Sequence, residues 1–379
     1  MQPIQNRRGG FALAVAIGAI VVIGALIAGV FFASSQQFRI GRSTLLQTRA
    51  STAAENGLDV LFDTTQSTVR WKPAWNVAPP GVQDTVVFTS GGAVDTVQLT
   101  KLTPTNFLLV SEAHVNGANG TQARRRFGTL VTLREPQINM RGALTVRGAV
   151  KVTGSSQITG NDTPIPGWAC PPADSAMPGI ASSDTTQINA SGGCDSYQCI
   201  SGDPKVVQDT MADKDSTYFQ FGDADWAMLT SMGKTPTGAD PTPTFTTTGA
   251  CNLSDPNNWG DPVHALTNTA CQDYYPIIYA PGDLSLQNGI GQGILLVEGN
   301  LKVTGNFSFF GPVIVRGTLS TQGNGAHFNG GLMAANVDLD PNTVAGNAVI
   351  NYSSCALSRA INGAATPRPA TLRPWVELF

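Results

Sequence analysis

Residues 11–33 read FALAVAIGAIVVIGALIAGVFFA, 23 consecutive residues without a charge. As a helix at about 1.5 Å per residue the run spans about 34 Å, more than the roughly 30 Å of a bilayer's hydrocarbon core. A surface this apolar must be covered by lipid or by other helices. A cleavable secretory signal has an apolar region of only about 7–15 residues, so this run is too long for one. Arg7 and Arg8 precede it. By the positive-inside rule they keep the short N-terminus cytoplasmic and place the bulk of the chain outside. Residues 34–62 contain no proline, and Leu45, Leu46, Ala50, Ala53, Ala54, Leu58, Leu61 and Phe62 recur at helical spacing. One rod over residues 11–62, about 75–80 Å long, is therefore expected.

A second pattern governs the distal part. Glycine recurs every sixth residue at Gly142, Gly148, Gly154 and Gly160, and again at Gly293, Gly299, Gly305, Gly311, Gly317 and Gly323. The second and fourth residues after each glycine point to one side of a strand. In the eight hexads closed by a glycine at each end these are 16 positions, of which 14 are apolar, against an overall hydrophobic content of 41%. Hexads of this kind predict a parallel β-helix (β-solenoid) with three short sides per coil, in which each coil buries its face only against its neighbours. Residues 137–161 and 277–352 are assigned to it, the stretch after Gly330 continuing the stack.

Between helix and hexads, residues 63–136 hold alternating runs at 96–102, 107–115 and 126–133. The turn around Gly117 and Gly120 makes the last two a hairpin, and a small antiparallel sheet is expected there. Residues 162–276 are rich in Pro, Asp, Gly and Thr and hold five of the six cysteines. They are too long for a single loop and are read as an inserted lobe. Cys170, Cys194, Cys199, Cys251, Cys271 and Cys355 contain no CxxC pair, and an exported chain would join them as disulfides. Six cysteines allow about 15 pairings, and the spacing does not choose among them. Within the lobe a helix is expected near residues 223–232. The tail, residues 353–379, reads as extended. The fold class is thus α+β: a long helix with a small antiparallel sheet, then a parallel β-helix interrupted by a disulfide-containing insert.

Chemistry is scarce. Lys+Arg 23 against Asp+Glu 26 gives a net charge of −3, with no basic excess for binding nucleic acid along the whole surface. Arg124, Arg125 and Arg126 adjoin the hairpin turn without the interleaved aromatics that stack bases, and read as a solvated edge. Three separated histidines make a poor metal or acid–base site. Ser231 and Lys234 have SxxK spacing, but the SDN and KTG partners of penicillin-recognising enzymes are missing. Enzymes on β-helices need carboxylates clustered on one face, and the hexads expose mainly Thr, Ser and Asn. No enzymatic activity and no cofactor are expected, calcium at one loop excepted. There Asp255, Asn257 and Asp261 offer hard oxygens with Gly260 sixth, but Trp259 takes a ligand position and no glutamate closes the loop. It is not an EF-hand; a calcium site of another kind and a plain Asx turn are the two readings.

Arg7-Arg8-Gly9-Gly10-Phe11 resembles the class III leader of type IV pilins, and Ala53-Ala54-Glu55-Asn56-Gly57-Leu58 resembles the AAE-x-x-L stretch of PilX-type minor pilins. The ending, with Cys355, Pro367-Arg368-Pro369 and Arg373-Pro374-Trp375, is similar to PilX-type proteins with a β-helical C-terminal region. The resemblance implies that a prepilin peptidase cuts residues 1–10 away between Gly10 and Phe11, and that Phe11 is then methylated. Most major pilins carry a glutamate fifth in the mature chain; here that residue is Val15. A minor or tip subunit is therefore implied, with other pilins, the peptidase and the inner membrane as partners. It would start as a single-pass inner-membrane protein and end in a pilus at the cell surface. The alternatives are a tip adhesin or DNA-capture module, with a surface, glycan or DNA ligand, and an uncut, membrane-anchored β-helix protein of the envelope.

Overall fold

The computed structural model describes residues 9–62, 81, 83–90, 92–103, 105–117, 120–263, 268–323, 325–335, 342–370 and 376–378. Helix α1 (Gly9–Phe62) runs for 54 residues, about 80 Å. Its hydroxyls do not break it. Ser35 donates to the Phe32 carbonyl at 2.8 Å, Thr44 to Ile40 at 3.0 Å and Thr48 to Thr44 at 3.0 Å, bonding back along the same rod. The two halves differ. From Leu13 to Leu45 the apolar side chains stand bare, whereas Leu46, Ala50, Ala54, Leu58 and Leu61 are buried at steps of three and four.

That buried stripe lies on an antiparallel sheet of strands β1 (Gln83–Ser90), β2 (Ala93–Lys101), β3 (Asn106–Asn116) and β4 (Gln122–Arg134), joined in order as hairpins. Alternation places Val97, Leu99, Phe107, Leu109, Phe127, Val131 and Leu133 against Ala54, Leu58 and Leu61. Each large apolar side chain buried there contributes roughly 1.5–3 kcal/mol.

The distal part is built from short parallel strands in two sheets. The chain first lays down β5 (Leu144–Val146), β6 (Val150–Val152) and β7 (Gln157–Thr159), then β8 (Ile180–Ser182), β9 (Ile188–Ala190), β10 (Ile200–Ser201) and β11 (Val206–Gln208). A small antiparallel pair follows, β12 (Gln220–Phe221) and β13 (Ala224–Asp225). The second series is β14 (Ile277–Ala280), β15 (Leu284–Leu286), β16 (Gly289–Gln292), β17 (Ile294–Val297), β18 (Leu301–Val303) and β19 (Phe307–Val315). It ends with β20 (Leu319–Thr321), β21 (Ala326–Ala334), β22 (Asn342–Val344) and β23 (Val349–Tyr352).

Register is set by the apolar pairs. Ile278, Leu295, Val313, Leu332, Leu144, Ile180 and Val206 stand side by side across seven parallel strands. The order of these ladders is not the order of the chain. In the six-stranded sheet the sequence is β15-β18-β20-β22-β6-β9. The chain therefore enters the stack at an interior position, and its last circuit closes onto its first. Gly311 and Gly330 pair within β19 and β21 at φ of 132° and 139°, where each long strand bends from one side of the stack to the next.

Two differences from the sequence expectations stand out. Residues 180–208, assigned to the inserted lobe, add β8–β11 to the two parallel sheets. Their apolar anchors Ile180, Ile188 and Ile200 lie 8 and 12 residues apart, so no hexad marks them. The tail is not extended at its start. Helix α4 (Ser354–Gly363) follows short helices α2 (Asp215–Phe219) and α3 (Trp226–Met232), and its Ser353 side chain caps the Ala356 N–H. Beyond it, β24 (Thr366–Pro369) and β25 (Val376–Glu377) pair antiparallel with β4, so the C-terminus returns to the first sheet. As expected, all six cysteines are paired, and the pairing left open by the sequence is Cys170–Cys355, Cys194–Cys199 and Cys251–Cys271.

Two cores result inside the distal part. Phe307, Phe309 and Phe328 fill the interior between the sheets, closed by Trp259. Outside the larger sheet, Tyr218, Leu229, Ala356 and Ala360 from α2, α3 and α4 cover Ile294, Leu296, Ile314 and Met333. The residue Asp225 caps α3, accepting from the Met228 N–H at 2.7 Å.

Candidate functional site

The first half of α1 is the feature that demands a partner. Leu13 is 67% exposed, Val30 70% and Phe31 74%, in a stretch whose hydropathy and length suit a membrane span. Val15 is likewise bare. After residue 33 the first charges are Arg39 and Arg42, and the first carboxylate is Glu55. Gly10 and Phe11 fall in the first turn of α1, while residues 1–8, with Arg7 and Arg8, lie outside the described residues.

The second half of α1 is clamped. Gly57 faces β2 so closely that a methyl group would overlap the Asp95 carboxylate. Asp95 is 3% exposed; Ser111 donates to its Oδ1 at 2.7 Å, and its Oδ2 has no partner among the described residues. Burial pushes this carboxyl above its ordinary value, against the pull of the Ser111 and Thr96 hydrogen bonds. Arg125 bridges three elements, pairing with Glu377 on β25 at 2.6 Å and donating to Gln47 on α1 at 3.1 Å. Arg124 pairs with Glu112, to which His114 is also bonded, and Arg126 lies 4.0 Å from it. The three arginines are thus engaged with acidic groups of the same sheet.

Two of the calcium-candidate residues, Asp255 and Asn257, are hydrogen-bonded within the fold. Asp255 accepts from the Asn257 N–H at 2.9 Å and from the Thr244 hydroxyl at 2.8 Å, an Asx turn. Asn257 exchanges hydrogen bonds with Thr237. Asp261 is 1% exposed, and its Oδ2 has no partner among the described residues. Among the described residues no cluster of three His, Cys, Asp or Glu could hold a metal ion. Ser231 donates to the Met228 carbonyl at 2.7 Å, and Lys234 donates to three other carbonyls, so neither member of the SxxK pair bonds the other.

Two adjoining cavities, about 330 and 580 Å³, lie where the antiparallel sheet meets the parallel stack. They share Arg134, Glu135, Pro136 and Asp223. Arg134 pairs with Asp223 at 2.6 Å, and burial raises the Glu135 carboxyl. Sequence reasoning missed this junction, the Asp95–Gly57 contact and the seat of Lys234. Only Gly57, an isolated glycine in a helix otherwise free to hold alanine, carried a signal of close packing.

No family model matches the chain, and no curated protein matches it. Among solved structures it is similar to the competence-associated pilin ComZ from Thermus thermophilus, at 12% identity over 88% of this chain and 96% of that one, with a TM-score of 0.24.

Proposed function

We propose that this chain is a minor pilin-like structural subunit of a type IV pilus or related filament. The observation that carries the reading is the split helix: one half is seated on a folded sheet and the other half, apolar and free of charge to residue 38, is bare. In a membrane, lipid covers that half. In a filament, the helices of neighbouring subunits would cover it instead. Apolar burial at about 25 cal/mol per Å² favours either state over water. Removal of residues 1–10 between Gly10 and Phe11 would permit the transfer. Val15, where a buried acid would need a partner, suits a subunit that lacks a neighbour on that side.

The parallel stack is read as a β-solenoid carried outward by the sheet, at or near the filament tip. The peptidase, the inner membrane and other pilins are the proposed partners, and the role is assembly and display rather than catalysis.

N-terminal sequencing of the protein from cells, together with its detection in sheared filaments, tests this. A mature chain beginning at Phe11 and present in the filament fraction is expected. A chain beginning at Met1 and confined to membranes would instead favour the uncut envelope protein.

A further inference from the structure

Lys234 sits in an unusual place for a lysine. Its Nζ lies 3.1 Å from the Leu253 carbonyl oxygen, 2.7 Å from that of Asp255 and 3.3 Å from that of Asn258. An ammonium has three N–H donors, and here each has a carbonyl to meet. The Tyr274 ring covers the group from 5.0 Å. The loop is shaped so that these carbonyls converge. Asp255 and Asn258 turn their side chains onto backbone N–H groups at Asn257 and Gly260, while the Asn258 amide holds the Thr244 and Asn252 carbonyls. The Cys251–Cys271 disulfide closes the base.

The lysine's own backbone belongs to the stack. Lys234 N–H donates to Ile277 and its carbonyl accepts from Tyr279, extending the larger parallel sheet beside β14. The residue after Asn258 is Trp259, fully buried edge-on against Phe307 and Phe309, and its carbonyl accepts from Gln292 of β16. One ammonium therefore ties the β14 end of the stack to the loop that plugs it.

We propose that residues 251–261 form a cation-binding cradle whose resident cation is the Lys234 ammonium, and that this internal ion seats Trp259 as the plug of the parallel stack. The cradle selects a monovalent group. It offers carbonyl dipoles, and the Asp255 carboxylate that a divalent ion would seek is turned to Thr244 and Asn257. Without the lysine, a small ammonium or potassium ion would fit the same oxygens.

Lys234→Ala in the full chain, in detergent, tests this by chemical rescue. Its thermal midpoint should fall by several degrees, and hydrogen exchange should quicken across residues 251–261. Added methylammonium should recover at least half of the loss in this variant and leave the wild type unmoved, while bulky tetramethylammonium recovers nothing. In Lys234→Met the side chain fills the hole, so methylammonium should not help. If Lys234→Ala does not fold, refolding yield with and without methylammonium replaces the midpoint. Equal stability of Lys234→Met and wild type, or equal effects of methylammonium and tetramethylammonium on Lys234→Ala, would overturn the proposal.

Discussion

Asp95 is a carboxylate with one oxygen hydrogen-bonded and the other sealed beneath α1. Because burial raises its folded pKa above the unfolded value, the folded state binds the extra proton between those two values. Stability should therefore fall as pH rises from about 4 through the folded value. Asp95→Asn should flatten that slope and raise the midpoint at neutral pH, measured by thermal unfolding across a pH series. Gly57→Ala should destabilise by driving a methyl into the same carboxylate, and the loss should shrink when Asp95→Ala is added. An additive double-mutant cycle would mean that the two do not touch.

At the scale of elements, the two halves of α1 should respond differently. Leu58→Ala opens a hole under the sheet and should cost about 2–5 kcal/mol in denaturant unfolding. Leu26→Ala, on the bare half, should leave that value unchanged and act only where the helix meets lipid or other subunits. Arg125→Ala should loosen β25 from β4, seen as faster exchange and earlier proteolysis of residues 376–378, with the rest of the sheet intact. The other pairing on that edge is better protected. Ala370 donates to Leu130, and alternation turns Pro367 and Pro369 outward, so the edge offers no N–H there to a stray strand. Much of this level could be read in advance. A proline-free rod whose first 23 residues carry no charge reads as a helix, and apolar pairs at a glycine period read as short strands. The strands at Ile180, Ile188 and Ile200 escaped because their corners vary in length, one of them closed by the Cys194–Cys199 disulfide. Helix α4 escaped because it is only 10 residues long and its buried face, Cys355, Ala356, Leu357 and Ala360, holds a single large apolar side chain. Lys234 could not have been foreseen, since its partners are carbonyls, which every residue has.

For the whole molecule, the order of the ladders matters more than their number. Strands β5, β6 and β7 gain their second neighbours only from β21, β22 and β23, which belong to the final circuit. A chain ending at residue 335 should thus leave β6 and β7 with an open edge each, and is expected to aggregate, as judged by the soluble fraction after refolding. The same arrangement bears on biogenesis. A polypeptide emerging amino end first presents a half-finished template long before the segment that completes it leaves the ribosome. Until that segment arrives β6 and β7 each keep an unpaired edge, which only the full-length product closes.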